Sequence, residues 1–118
     1  MRSHTDLGKE AEELAVAFLQ EKGFDILYRN WRYSRFEIDI VALKNGLPHF
    51  IEVKSRASAK YGYPEENVGK KKISFLLEAA NEFLHRHPEY KNFQLDILSI
   101  NKDQDGHIEY FFIEDVYL

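Results

Sequence analysis

The chain has 118 residues, 44% of them apolar and 31% charged, and it contains no cysteine. That length suits one domain, 1–118, around a single core, while the missing thiols exclude disulfides and thiolate metal centres and fit a reducing cytoplasm. No apolar run is long enough to cross a membrane, no repeat or low-complexity tract appears, and the formal charge of −4 excludes a generally basic nucleic-acid binder unless the charges are segregated.

Residues 1–13, MRSHTDLGKEAEE, lack the apolar centre of a signal peptide, so the expected location is cytoplasmic. A first helix is expected from about Asp6 to Lys22, with Ser3, Thr5 or Asp6 as its cap. Ala11, Leu14, Ala15, Phe18 and Leu19 recur at helical spacing and form its inner stripe. Glu12 falls at the margin of that stripe and is the acid placed to meet a sheet, whereas Glu13 is expected to point away. Gly23 ends the helix, and FDILYRNWRY, 24–33, reads as a strand. Trp31 with Arg29 and Arg32 would suit a stacking and phosphate-contact surface, but the default expectation is a core aromatic with solvated arginines.

The stretch 36–56, FEIDIVALKNGLPHFIEVKSR, reads as a β-hairpin around Asn45-Gly46, the pair that supplies the positive φ angles of a two-residue turn. Regular pairing from that turn sets Asp39 opposite Glu52 and Glu37 opposite Lys54. Ile38, Ile40, Ile51 and Val53 are then expected to share an apolar face, with Phe36 and Phe50 partly covering the charged one. Carboxylates so crowded need a compensating cation; Lys54 supplies part of it and a divalent metal would supply the rest. A plain amphipathic hairpin with a wet polar face has the same alternation.

Residues 55–69 form a long connection in which Lys60, Tyr61 and Tyr63 suit a flap over nucleic acid, or plain flexibility. A second helix is expected from about Gly69 to Arg86, with Ile73, Leu76, Leu77, Ala80, Phe83 and Leu84 as its stripe and Pro88 beyond its end. Lys70, Lys71 and Lys72 sit at its start, where cations oppose the helix dipole and an anionic partner would relieve them. Residues 93–101 and 107–113 read as two more strands, turning at Asp105-Gly106. The five histidines show no helical ligand spacing, and His85 and His87 are expected at the surface.

Charge is segregated along this chain. Residues 29–35 hold Arg29, Arg32 and Arg35 without an acid, and 54–72 hold Lys54, Arg56, Lys60, Lys70, Lys71 and Lys72 against Glu65 and Glu66, while acids gather after residue 89. A basic patch thus flanks the hairpin in sequence and is able to attract phosphate.

In order, LGKEAEELAVAFLQEKGFDIL (7–27), RNWR (29–32), EIDIVA (37–42), FIEVKSR (50–56), YGYPEENVGKKK (61–72) and LDIL (95–98) resemble the YraN-like family of small bacterial proteins. That family is similar to the restriction-endonuclease-like, PD-(D/E)xK, nuclease superfamily and to archaeal Holliday-junction resolvases. The resemblance implies an α/β (α+β) fold of order α-β-β-β-α-β-β, a central mixed sheet flanked by helices. It matches Glu12 to the acid of the first helix, Asp39 to the metal-binding aspartate, and Glu52 and Lys54 to the ExK pair. Glu37 matches a further acid, and Arg56 and Lys72 match recurrent basic positions. The family usually has glycine where this chain has Phe36, a side chain that narrows the site.

The function expected from these residues is metal-dependent hydrolysis of DNA phosphodiester bonds, with branched or repair intermediates as candidate substrates. Asp39 and Glu52, joined by a carbonyl near Val53, would hold Mg²⁺ or Mn²⁺, Lys54 would act on the attacking water, and Glu12 and Glu37 would serve a second metal or support the first. Arg56, Lys60, Lys70, Lys71 and Lys72 would contact phosphates. Junction-cutting relatives act as dimers, so a homodimer belongs to the expectation; a membrane partner does not. A non-catalytic nucleic-acid-binding module with the same fold is the alternative. A protein-partner-binding domain using Tyr110, Phe111, Phe112 and Tyr117 is another.

Overall fold

A computed structural model of the chain describes residues 3–56 and 70–116, with side chains from residue 8 onward except at positions 56 and 70. Its elements are α1 (Ser3–Glu21), β1 (Asp25–Tyr33), β2 (Phe36–Lys44), β3 (Leu47–Arg56), α2 (Lys70–Arg86), β4 (Gln94–Lys102) and β5 (Ile108–Ile113). The expected order α-β-β-β-α-β-β is the observed one. Residues 57–69, including Lys60, Tyr61 and Tyr63, lie outside the described residues, as does Tyr117.

Local chemistry sets the turns. Asn45 at φ 54° and Gly46 at φ 77° form the left-handed pair a tight hairpin requires, and regular pairing runs from Lys44↔Leu47 to Ile40↔Ile51. Gly23, at φ 96°, ends α1, and the Phe24 N–H turns back onto the Leu19 carbonyl at 3.0 Å. After β4, the Asp103 carboxylate accepts the N–H groups of Asp105 and His107 at 2.9 and 2.8 Å, so Asp103 organises the turn predicted at Asp105-Gly106.

The five strands lie in sequence order, β1-β2-β3-β4-β5. Only β3 and β4 run parallel, because the chain between them makes a crossover through α2; the other pairs are antiparallel. This is a mixed sheet with β1 and β5 at its edges. On one face Ala11, Ala15 and Leu19 of α1 pack against Ile40, Ala42, Ile51, Leu98 and Ile100, with Leu14 and Phe18 beside them. On the other, Leu76, Ala79, Ala80 and Phe83 of α2 pack against Ile38, Val41, Phe50 and Leu95. Phe83 is fully buried and meets Phe50 at 5.3 Å and Trp31 at 5.5 Å between ring centroids, so Trp31 packs against the core while staying half-exposed. No helix among the described residues is long and apolar enough to cross a membrane.

Strict alternation fails at one place in the hairpin. Ile38 packs on the α2 side and Ile40 on the α1 side, although two residues apart they were expected to share a face. The neighbouring strand changes face in step: Arg29 reaches α1, while Trp31 packs under α2. Between the rungs Arg29↔Ile40 and Trp31↔Ile38, Asn30 adopts φ 55°, which breaks the extended backbone of β1 beside Asp39. Asn is among the few residues that tolerate this conformation. The two strands therefore twist together at Asp39. Phe36 and Phe50 do lie on one side, that of α2.

Three smaller expectations also change. The Glu13 side chain does not simply point away but reaches Arg29 at 2.7 Å. Glu37 is opposite Arg32 of β1 rather than Lys54 of β3. His87 is half-buried and stacks on Phe83 at 4.2 Å, because Phe83 lies one helical turn earlier; His85 is exposed as expected.

Candidate functional site

Regular pairing of β2 with β3 stops at Ile40↔Ile51, one residue short of the expected Asp39–Glu52 rung. Beyond that point the Asp39 side chain takes over: its Oδ2 accepts the Val53 N–H at 2.8 Å. A carboxylate thus stands where a strand carbonyl would continue the ladder. The place where both strands change face also leaves Asp39 accessible from either side of the sheet. It lines a cleft of about 320 Å³ with Gly8, Lys9, Glu12 and Ser55, and a second of about 210 Å³ with Phe36, Glu37, Lys72 and Phe75.

Asp39 is the strained group electrostatically. Its pKa is pushed up to about 7, first by burial and then by the negative charge of Glu52, with Glu37 adding to the effect; the Val53 N–H and Lys72 oppose it. Glu52, 6% exposed, is better compensated. Lys72 Nζ lies 3.4 Å and Lys54 Nζ 3.6 Å from its Oε2. A buried carboxylate requires such partners. Lys72, at the start of α2, therefore belongs to the charge cluster itself.

The remaining site residues divide into those near this cluster and those beyond it. Glu37 is 3.6 Å from Arg32, which is 72% exposed, so that pair is weak. Glu12 borders the larger cleft but its carboxylate is turned to Arg29 at 3.3 Å, and Arg29 is held still more closely by Glu13. Lys71 is exposed. Arg56 pairs with Asn101 through the backbone, and Lys70 opens α2; their side chains, like Lys60, are outside the described residues.

The donor set sets a limit on metal binding. Among the described residues, the one trio of ligating side chains with donor atoms within 4.8 Å of one another is the exposed Asp103, Asp105 and His107. That trio is explained by the turn it builds, in which the His107 N–H holds the Asp103 carboxyl below its usual range. Asp39 and Glu52 offer two carboxylates without a third acid drawn in. Carboxylate oxygens are the hard ligands that divalent cations such as Mg²⁺ and Mn²⁺ prefer.

One buried polar pair was not anticipated. His49 Nδ1 and Asp96 Oδ2 share a hydrogen bond at 2.7 Å, with both side chains buried, while Asp96 Oδ1 accepts Gln94 Nε2 and the Asp115 N–H, each at 2.9 Å. The visible signal was Asp96 inside the apolar run LDIL. An acid buried within a strand requires donors, but its partner lies 47 residues away.

The mixed sheet with a helix on each face, and an acid–ExK cluster where two strands part, define a restriction-endonuclease-like α/β protein. A family profile described as "Uncharacterised protein family UPF0102" matches residues 11–100. The chain belongs to that family, which is the YraN-like family. It is 39% identical to a UPF0102 protein of Flavobacterium psychrophilum over 118 residues, covering 99% of this chain and 98% of that one. Similar UPF0102 proteins come from Chlorobium phaeobacteroides, 40% identical over 94% of this chain and 90% of the relative, and Persephonella marina, 43% identical over 86% and 89%.

Proposed function

We infer that the chain is a metal-dependent endonuclease acting on DNA, branched or repair intermediates included. The observation that carries this reading is Asp39: a half-buried carboxylate with its pKa raised to about 7, beside Glu52 and open to two clefts. Such a group is costly to the fold and is best accounted for by a cation that relieves it.

Asp39, Glu52 and the Val53 carbonyl would hold Mg²⁺ or Mn²⁺. Bound there, the ion would polarise the phosphoryl group and lower the pKa of a water ligand. The Val53 N–H fixes the Asp39 carboxylate in place. Lys54, now on Glu52, is released toward the attacking water and the developing negative charge. Lys72 would turn toward a phosphate oxygen and the exposed Lys71 would add to the phosphate-binding surface; phosphate contacts from Arg56, Lys60 and Lys70 belong to the same proposal. Glu12 and Glu37 remain on Arg29 and Arg32 and shape the field around the first two acids.

The non-catalytic nucleic-acid-binding reading has one observation in its favour. Lys72 already places a cation on Glu52 at 3.4 Å, which lessens the need for a metal. Cleavage of duplex, forked and four-way DNA in Mg²⁺ or Mn²⁺ decides between the two. The nuclease reading predicts cleavage lost in both Asp39→Ala and Lys54→Ala; cleavage surviving both sinks it.

A further inference from the structure

The smaller cleft runs from the charge cluster to a pair of aromatic rings that the chemistry above does not use. Phe36, the first residue of β2, and Phe75, in the second turn of α2, both line it and stack with centroids 5.0 Å apart and planes 27° apart. Neither is fully buried, and Phe75 stands outside the hydrophobic cluster around Phe83 that its neighbour Leu76 joins. Arg35 is exposed and holds its guanidinium 5.9 Å over the Phe36 ring. Tyr33 lies 6.3 Å from Phe36 on the other strand, and Arg86 lies 5.6 Å over Tyr33. Lys72 and Asp39 close the other end of the same cleft.

This combination selects one occupant. A phosphate held by Lys72 and by a cation on Asp39 leaves its nucleoside to reach along the cleft, where it meets the aromatic pair and the exposed Arg35 guanidinium, which it displaces from Phe36. Aromatic rings with arginine bind a nucleobase by stacking, whatever its sequence. A base inside a duplex already has neighbours on both faces and offers none, so only an unpaired base gains. We propose that Phe36 and Phe75, with Arg35, form a stacking platform for an unpaired nucleobase of DNA next to the phosphate at Asp39, which makes single-stranded or forked DNA the preferred substrate. The proposal rests on the nucleic-acid reading of the site and adds the substrate structure to it.

The test uses full-length protein with Ca²⁺ in place of Mg²⁺, so that a divalent ion bridges the acids to phosphate while binding is read without cleavage. The probes are forked DNA carrying 2-aminopurine at successive positions across the fork, and the same sequence as a full duplex. The wild-type protein is expected to quench the unpaired 2-aminopurine adjoining the fork and to bind the fork more tightly than the duplex. Combined Phe36→Leu and Phe75→Leu substitutions, which keep apolar bulk, are expected to abolish that quenching and weaken fork binding by roughly 10-fold, leaving duplex binding within about 2-fold. Phe36→Tyr with Phe75→Tyr restores both, since the rings remain. Equal binding of fork and duplex by the wild-type protein, or uniform quenching at every position, overturns the platform without any variant. Undiminished quenching in the folded leucine variant overturns it too. Cleavage of duplex and fork at equal rates in Mg²⁺ sinks the platform alone, quenching without cleavage sinks the nuclease alone, and no DNA binding at low salt sinks both.

Discussion

The Asp39 carboxylate accepts the Val53 backbone N–H at 2.8 Å, and that single bond closes the open end of the hairpin. It ties the acid of β2 to the residue between Glu52 and Lys54. One acid therefore serves both the fold and the proposed chemistry, and its protonation connects the two.

Asp39 makes the metal-free protein less stable as pH rises. An unfolded aspartate titrates near 3.8, whereas here the group titrates near 7. Between those values the unfolded chain has lost the proton and the folded chain retains it, so the folded state is progressively disfavoured. From pH 5 to pH 8 this amounts to roughly 3 kcal/mol at most, and it levels off above that. Urea denaturation in EDTA at pH 5 and pH 8 measures it. Asp39→Asn removes this component, and an unchanged pH dependence in that variant contradicts the assignment.

The His49–Asp96 pair is predicted to be structural. Asp96→Ala strands His49, Gln94 and the Asp115 N–H together, with an expected loss of roughly 3–5 kcal/mol. The readout is the urea midpoint at constant m-value, alongside DNA binding per folded molecule, which is expected to stay at the wild-type level. A stable variant with impaired binding would instead place this pair in the functional surface.

Lys54 and Lys71 are predicted to separate chemistry from binding. Lys71 is exposed on α2, whereas Lys54 is held on Glu52. Lys71→Ala is expected to lower the slope of log affinity against log salt by about one, with turnover at saturating DNA retained. Lys54→Ala is expected to remove turnover and retain binding. Filter binding across a salt series, paired with single-turnover cleavage, distinguishes these outcomes.

The fold was legible wherever side-chain chemistry acts locally. Helical spacing of Ala11, Ala15 and Leu19, and of Leu76, Ala80 and Phe83, located both helices and their buried faces. Asn45-Gly46 gave the hairpin and its register as far as Ile40↔Ile51. What sequence reasoning missed depends on departures from regularity or on distant contacts. Alternation assumes a flat extended strand, so the change of face between Ile38 and Ile40 escaped it; Asn30 within RNWR was the one local hint. The proximity of Lys72 to Glu52, the stacking of Phe36 on Phe75 and the His49–Asp96 bond each join segments that only the folded sheet brings together. Arg29 likewise draws Glu12 aside in a way no helical wheel reveals, since the arginine comes from β1.

The central claim is that Asp39 and Glu52 together form a divalent-metal site. Calorimetric titration of Mn²⁺ into the wild-type protein, Asp39→Asn, Glu52→Gln and Asp103→Asn tests it most directly, because the Asp103 cluster is the competing set of ligands. The account predicts binding to the wild type and to Asp103→Asn, lost in both Asp39→Asn and Glu52→Gln. Binding that persists in Asp39→Asn and Glu52→Gln but disappears in Asp103→Asn would contradict it.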